Sequence, residues 1–362
     1  MFDVSVIVPM YNARKYIVDC VNGLLRQSLD SVEVIIVNDC SSDDSMKLCK
    51  KHFGNNERVQ LIDQPRNMGP GAARNAGIAV ARGEYIAFAD SDDAVRPDAY
   101  KAMYDAAKEA DADVIHVTGA LIQTVDDAPD NLGMLTDDKL YRVTLDEGDR
   151  PDKLTILSDN VEDRLKEWHL HHIHWSIWNK LFRRSFIEDN NLRFGDTKMA
   201  EDQVFCLGCL LKARKYAKLP GEWYLYRIGG ASLTRGQKQV KTLINALTTQ
   251  MKITKLIDDT VKGVPYLESN KSKIDEIKTY VLNLLESSYI QPACGKIGAK
   301  ELYECKELKE LFNNNFGDLS DFALFEFLNS HDNVKDVIDI NEMLNNPSFW
   351  KSRKEAEEKG AQ

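Results

Sequence analysis

Along its first third the chain alternates short continuous apolar runs with longer stretches of helical spacing. Val4 to Val8 reads as a strand that stops at Pro9, and from Ala13 to Gln27 the residues Ile17, Cys20, Val21, Leu24 and Leu25 share one helical face. Val32 to Val37 is a second strand. The polar turn Asn38 to Asp44 then caps a helix reaching Phe53, and Val59 to Ile62 is a third strand. Gly69-Pro70-Gly71 opens an Ala-rich helix that Gly83 closes, and Tyr85 to Ala89 is a buried strand. Pro97 suits the first turn of a further helix, where its missing N–H costs nothing, and Asp113 to Val117 is one more strand. Strands alternating with helices over short turns predict an α/β fold with a mainly parallel sheet covered on both faces. Pro9 to Asn12, Asn38 to Asp39 and Asp90 to Asp93 then all lie at strand carboxyl ends, where open α/β sheets build ligand crevices.

Later segments differ. Gln123 to Asp152 is acidic and rich in turn residues, and reads as an irregular insertion that can serve as a lid. Helical spacing returns around Trp178 to Ile187 and from Glu201 to Leu211, with an aromatic strand at Trp223 to Tyr226. After Gln237 amphipathic helices succeed one another, marked by Leu243, Leu247, Met251, Ile253 and Leu256, then Ile277, Val281, Leu284 and Leu285. The pattern divides the chain into residues 1–236, with halves 1–120 and 121–236, and a smaller all-helical part, 237–362, whose charged last dozen residues read as frayed.

A length of 362 residues suits one large and one small domain, and the net charge of -10 argues against a nucleic-acid surface. The seven cysteines are scattered through apolar stretches and read as reduced core residues, Cys206 and Cys209 included. No apolar run is long enough to span a bilayer, and Met1-Phe2-Asp3 leads directly into a strand. A cytoplasmic protein is expected, with the helical part free to dock on the inner face of the cell membrane or to self-associate. Acids such as Asp275, Glu276, Glu301 and Glu304 interrupt its lysines, which favours a structural cap or dimer interface over a membrane surface.

Asp90-Ser91-Asp92-Asp93 puts three carboxylates within four residues of a strand end. Hard oxygen ligands on a short turn suit Mg2+ or Mn2+, and a solvated acidic loop capping the next helix suits the same residues. Those four positions alone leave both readings open. His169, His171, His172 and His174 bring four imidazoles into six residues, yet neither strand nor helix spacing puts all of them on one face. They form either ordinary packing or a wall of a pocket, with Trp175 and Trp178 as flat stacking surfaces.

In order, Val8-Pro9-Met10-Tyr11-Asn12, Val37-Asn38-Asp39, Asn67-Met68-Gly69 through Ala73-Arg74-Asn75, and Asp90-Ser91-Asp92-Asp93 resemble the inverting glycosyltransferases of family 2, which have the GT-A fold. The resemblance is close over residues 1–120, looser through Trp175 to Arg235, and does not cover the helical remainder. It implies Asp92 as the main metal ligand, with Asp90 beside it on the metal, its water or the ribose, Ser91 at the nucleotide, and Asp93 as a supporting group or helix cap. It implies that Asp39 accepts a hydrogen bond from the base while Pro9, Tyr11 and Asn12 shape the pocket, Tyr11 by stacking unless it merely packs at the strand end. Arg74 would lie near the nucleotide or be an exposed helix arginine. Ala200-Glu201-Asp202-Gln203 matches the family's second acidic motif, which makes Asp202 the base and Glu201 its neighbour at an acceptor hydroxyl; a carboxylate favoured by a helix dipole is the alternative. Lys180 and Arg183 would touch the diphosphate or form the solvated face of a helix. Ser232 to Arg235 resembles a segment that closes over the donor, without a metal-binding histidine.

The resemblance thus implies a Mn2+- or Mg2+-dependent transferase moving a sugar from a nucleotide-sugar donor, a UDP-sugar, to a saccharide or lipid-linked saccharide in bacterial polysaccharide or cell-envelope synthesis. The alternative is a catalytically silent nucleotide-sugar-binding or scaffold protein of the same fold. A sugar nucleotidyltransferase would need a Gly-rich phosphate loop after the first strand, where Pro9-Met10-Tyr11-Asn12 stands instead.

Overall fold

The computed structural model describes residues 2–124, 141–146, 151–228, 240–294, 297, 299–317 and 320–331. The chain forms two compact units, one of Met1–Gly230 with Lys255–Ile274 and one of Ala231–Thr254 with Asp275–Gln362. The segment Lys255–Ile274 therefore belongs with the first unit, although it follows the expected boundary at residue 236.

In the first unit, β1 (Val4–Met10), α1 (Ile17–Leu25), β2 (Val32–Asn38), α2 (Ser45–Phe53), β3 (Val59–Asp63), α3 (Pro70–Val80) and β4 (Tyr85–Phe88) follow the expected alternation. β5 (Ala94–Val95), α4 (Ala99–Ala110), β6 (Val114–Val117), β7 (Gly119–Thr124), β8 (Tyr141–Thr144), β9 (Thr155–Ile156) and α5 (Val161–His169) continue the unit. β10 (Lys180–Arg183), α6 (Arg184–Asp189), α7 (Glu201–Lys212), β11 (Tyr216–Leu219) and β12 (Tyr224–Ile228) complete it up to residue 228. The main sheet has the order β3-β2-β1-β4-β10-β6-β11-β9, and a smaller one the order β5-β12-β7-β8. Strands β3, β2, β1 and β4 are mutually parallel, so their carboxyl ends share one edge. Every residue of β2 is buried, which explains its unbroken apolar run.

α3 lies close on β1: a methyl group added at Gly77 would come within 2.4 Å of Ile7 Cγ2, and Ile7 is itself fully buried. Gly77→Ala is expected to destabilise the protein by about 1–3 kcal/mol through overpacking, read as a lower urea midpoint with unchanged m-value. A variant as stable as wild type would show that the helix shifts freely, which the site below does not permit.

Four expectations are corrected. Pro9 does not stop β1, which pairs as far as Met10 with Asn38. The carbonyls of Asp3 and Ile7 accept from Tyr85 and Ala89, so odd-numbered residues of β1 point toward β4, and Pro9 is the next in that series, beyond the last β1–β4 pair at Ile7 and Phe88. No partner strand lies there to receive the N–H that proline lacks. Pro97 precedes the cap Asp98 and lies outside α4, its carbonyl accepting from Ser28 N–H. Trp178 to Ile187 is strand β10 followed by α6: antiparallel pairing with β4 and β6 on both sides, and burial of Leu181 and Phe182, override a helical pattern too short to be decisive. The Gln123 to Asp152 segment is not irregular throughout: Gln123 and Thr124 belong to β7 and pair with β12, and Tyr141 to Thr144 form β8, antiparallel to β7; residues 125–140 and 147–150 lie outside the described residues.

After β12, α8 (Val240–Val261), α9 (Pro265–Ser269), α10 (Lys271–Leu285), α11 (Gln291–Cys294), α12 (Ala299–Glu304), α13 (Lys306–Phe316) and α14 (Ser320–His331) are all helical, as their spacing predicts. Within the second unit Ile277, Val281 and Leu285 are buried, as are Leu308 and Phe312, with Phe312 beside Phe327 at 5.6 Å between ring centroids. Among the described residues no helix is long and apolar enough to cross a membrane. The charged last dozen residues lie outside the described ones.

Candidate active site

The sheet edge gathers three of the sequence segments. At the end of β1, Tyr11 is 52% exposed, so it does not pack against the strand end. Asn12 takes a left-handed conformation, φ 52°, which asparagine tolerates better than most residues. Its Oδ1 accepts from Ser42 N–H at 2.8 Å and Asp43 N–H at 3.3 Å, joining the loop after β1 to the loop after β2. Pro9 lies behind them, partly buried. Asp39, buried at the end of β2, accepts from Met68 N–H at 2.7 Å on one oxygen and from Gly69 N–H at 2.8 Å on the other. Gly69 holds φ +90°, open to glycine, and leads into α3 at Pro70. Asp39 thus fixes the start of α3 and keeps a second lone pair on each oxygen.

Beyond β4, Asp90 to Asp93 form the acidic turn. Asp93 is 2% exposed and caps no helix: its Oδ2 accepts from the Tyr224 hydroxyl at 2.8 Å and its Oδ1 from Arg227 N–H at 2.8 Å. The same Tyr224 oxygen accepts from Asp90 N–H at 3.0 Å. β12 therefore straps the turn in place, and this support was not legible beforehand because it joins residues more than a hundred positions apart. Asp92 and Ser91 are partly buried in the turn. Burial, then the charge of Asp90, raises the Asp92 carboxyl above its ordinary range, and the same two causes raise Asp93 further.

Arg74 is a buried side chain, not an exposed helix arginine. Its Nη1 donates to Glu201 Oε1 at 2.9 Å and its Nη2 to Asp90 Oδ1 at 3.2 Å. One guanidinium thereby joins the acidic turn to the second acidic motif at the start of α7. Its fork lies 5.5 Å from the Phe194 ring, which stacks on Phe205 at 4.1 Å. Asn75, one residue on, exchanges two 2.9 Å hydrogen bonds with the backbone of Phe194. No role for Asn75 itself was legible in the sequence motif it belongs to.

Asp202 lies in the first turn of α7, after Ala200 at φ 59°, and accepts from Gln203 N–H at 2.9 Å. Its pKa is pushed up to about 7, chiefly by burial and next by the charge of Glu201, with Arg74 opposing both. A carboxyl that titrates near neutrality is suited to take a proton at physiological pH.

Several sequence-selected residues lie elsewhere. Lys180 belongs to no solvated helix face: it is 1% exposed, and its ammonium donates to His174 O, Ser176 O and Asn179 Oδ1. Three donors are then committed to the protein itself. Arg183 pairs with Asp111 at 2.8 Å and Asp113 at 3.3 Å. Trp178 stacks on Tyr224 at 4.4 Å and Trp175 on His174 at 5.1 Å, so both indoles already have aromatic neighbours. The four histidines diverge: His172 pairs with Glu167 and His174 with Ser176. Among the described residues no three His, Cys, Asp or Glu side chains gather as a metal cage. Cys206 and Cys209 are buried and unpaired. Ser232 to Arg235 lie outside the described residues.

His116, which the sequence did not single out, is wholly buried between Tyr216 Oη at 3.0 Å and Asp146 Oδ1 at 2.9 Å. Burial and then Lys180 depress it to about 4, and depress His174 to about 3. A folded pKa below the unfolded value near 6.5 means that the unfolded chain takes up protons first as pH falls. Stability is therefore expected to drop from about pH 6.5 toward 4, by about 1.4 kcal/mol per pH unit for each histidine, measured as urea midpoints against pH. His116→Gln should flatten that slope, and an unchanged slope would contradict the assignment.

A mixed α/β sheet with an acidic turn at its parallel carboxyl edge, followed by helices, is the GT-A-like class of fold. The model of the family described as glycosyl transferase family 2 matches residues 5–189, and the chain belongs to that family. It is similar to the uncharacterised glycosyltransferase EpsJ of Bacillus subtilis, 33% identical over 232 residues that cover 64% of this chain and 62% of that one. The succinoglycan biosynthesis protein ExoO of Rhizobium meliloti is likewise 33% identical over 239 residues, 64% of this chain and 63% of that one. The match thus spans less than two thirds of these relatives. Residues 1–349 of S. aureus TarS in complex with UDP-GlcNAc superpose with a TM-score of 0.60 at 21% identity, covering 90% of this chain and 84% of that one, a likeness of fold.

Proposed function

We propose that the chain is a divalent-cation-dependent, inverting glycosyltransferase that moves a sugar from a nucleotide-diphosphate donor, a UDP-sugar, to a saccharide or lipid-linked saccharide in bacterial polysaccharide or cell-envelope synthesis. The observation that carries this reading is the buried Arg74 bridge, which unites the acidic turn and the Glu201-Asp202 motif in one crevice. Membership of the family and the succinoglycan role named for ExoO support the substrate class, and the TarS complex with UDP-GlcNAc supports a uridine donor.

Asp92 and the second oxygen of Asp90 are the residues that would hold Mn2+ or Mg2+. They fit it: both are hard oxygen donors, and Asp92 is a crowded, partly buried carboxylate held above its ordinary pKa, a charge that a cation relieves. When bound, the cation supplies positive charge to the departing diphosphate. Tyr11 stacks on the base, Asn12 and Pro9 shape its pocket, and Asp39 uses a free lone pair to accept from a base N–H. Asp202 takes the proton of the acceptor hydroxyl as that oxygen attacks the anomeric carbon, and Glu201, held by Arg74, orients it.

Transfer and hydrolysis assays across a panel of nucleotide sugars with Mn2+ test the reading. Turnover with a UDP-sugar, lost on chelation, is expected. No turnover with any donor, together with no cation-dependent nucleotide binding, would overturn it.

A further inference from the structure

Arg227 has no part in the chemistry assigned above, yet it is a buried cation at the rim of the same crevice. It lies on β12, and its own N–H bonds Asp93 Oδ1 at 2.8 Å, so its backbone is registered against the acidic turn. Tyr224, three residues earlier, fastens the other end of that turn. The guanidinium carbon sits 4.4 Å from the centre of the Tyr16 ring, on the segment that follows the loop after β1. The residue is 8% exposed, its Nε is buried with no partner, and its guanidinium makes no hydrogen bond or ion pair among the described residues.

A buried guanidinium normally meets a carboxylate or phosphate, because removing its charge from water without a partner is costly. Asp92 and Asp93 are near enough for Arg227 to bear on their environment, Asp93 through the backbone bond, but neither closes an ion pair with it. Arg74, the other buried arginine here, is committed to Asp90 and Glu201. We propose that Arg227, seated on Tyr16, binds the diphosphate of the donor and of the nucleotide product. This rests on the reading of the chain as a nucleotide-sugar transferase and adds a residue to it. The planar fork can donate to two phosphate oxygens at once, so that negative charge in the crevice has a fixed protein counter-charge as well as a cation.

Calorimetric titration of wild type, Arg227→Gln and Arg227→Lys with UDP, uridine and inorganic pyrophosphate, each with and without Mn2+, tests the assignment. Arg227→Gln should weaken UDP and pyrophosphate by about tenfold or more, as expected for loss of a charge-assisted contact, and leave uridine unchanged. Arg227→Lys should fall between, since it keeps charge without the fork. Tyr16→Leu, which leaves the cation and removes its seat, should weaken pyrophosphate in the same direction and serves if Arg227→Gln does not fold. Unchanged pyrophosphate affinity, or equal loss for uridine and UDP, would overturn the proposal and leave Arg227 as a structural counter-charge to the turn. Wild type that binds pyrophosphate but not UDP would overturn the uridine donor while still testing Arg227; wild type that binds neither overturns both.

Discussion

Asp202→Asn is expected to lower kcat for transfer by about 10²–10⁴-fold while the affinity for UDP-sugar stays within twofold of wild type, roughly the range of general-base contributions. The substitution keeps size and the Gln203 hydrogen bond but removes the proton acceptor. The pH profile provides an independent check. The proposed base works deprotonated, and burial with Glu201 beside it raises the Asp202 pKa to about 7 in the free protein. kcat/KM should therefore fall about tenfold per pH unit below about pH 7 and level off above it. In Asp202→Asn that acid limb should vanish from whatever activity remains. A variant retaining most of its rate would make Asp202 a helix-end carboxylate and move the base elsewhere.

Loss of Arg74 should do the most damage to the folded state. In Arg74→Met two carboxylates lose their partner, one of them Glu201 with a side chain only 8% exposed. Breaking a buried pair from one side costs about 3–5 kcal/mol, because an uncompensated charge stays behind. Combining Arg74→Met with Glu201→Leu removes that charge and should recover most of the urea midpoint. Transfer should not return, since the bridge that ties the acidic turn to α7 is gone. Recovery of both stability and rate in the double variant would show the bridge to be structural only, and a loss below about 1 kcal/mol in the single variant would contradict its burial.

What could be read beforehand follows the range of the interactions. β1, β2, β3, α3 and β4 are set by local periodicity, and the acidic turn sits where one strand pattern ends. β10 could not be read, because a short apolar segment becomes strand only through neighbours contributed by β4 and β6. Asp93, readable either as a supporting group or as a helix cap, anchors Tyr224 and Arg227 and caps no helix. Arg74 was legible as a basic residue near a nucleotide motif; its partner Glu201 lies 127 residues away, beyond any local pattern. The surroundings of Lys180 were hidden for the complementary reason, since the carbonyls of His174 and Ser176 that occupy its ammonium leave no mark in side-chain sequence.

Strand ends that open onto a binding cleft carry a liability: amide donors stripped of a neighbour invite another chain's edge to pair with them. At β1 the liability is absent at the one position where β4 has turned away, because Pro9 has no donor to offer. A substitution such as Pro9→Val would leave the strand's pairing with β2 intact and restore a bare amide to the floor of the cleft. The proline thus leaves the carboxyl end of β1 with no donor on that side to offer a foreign strand.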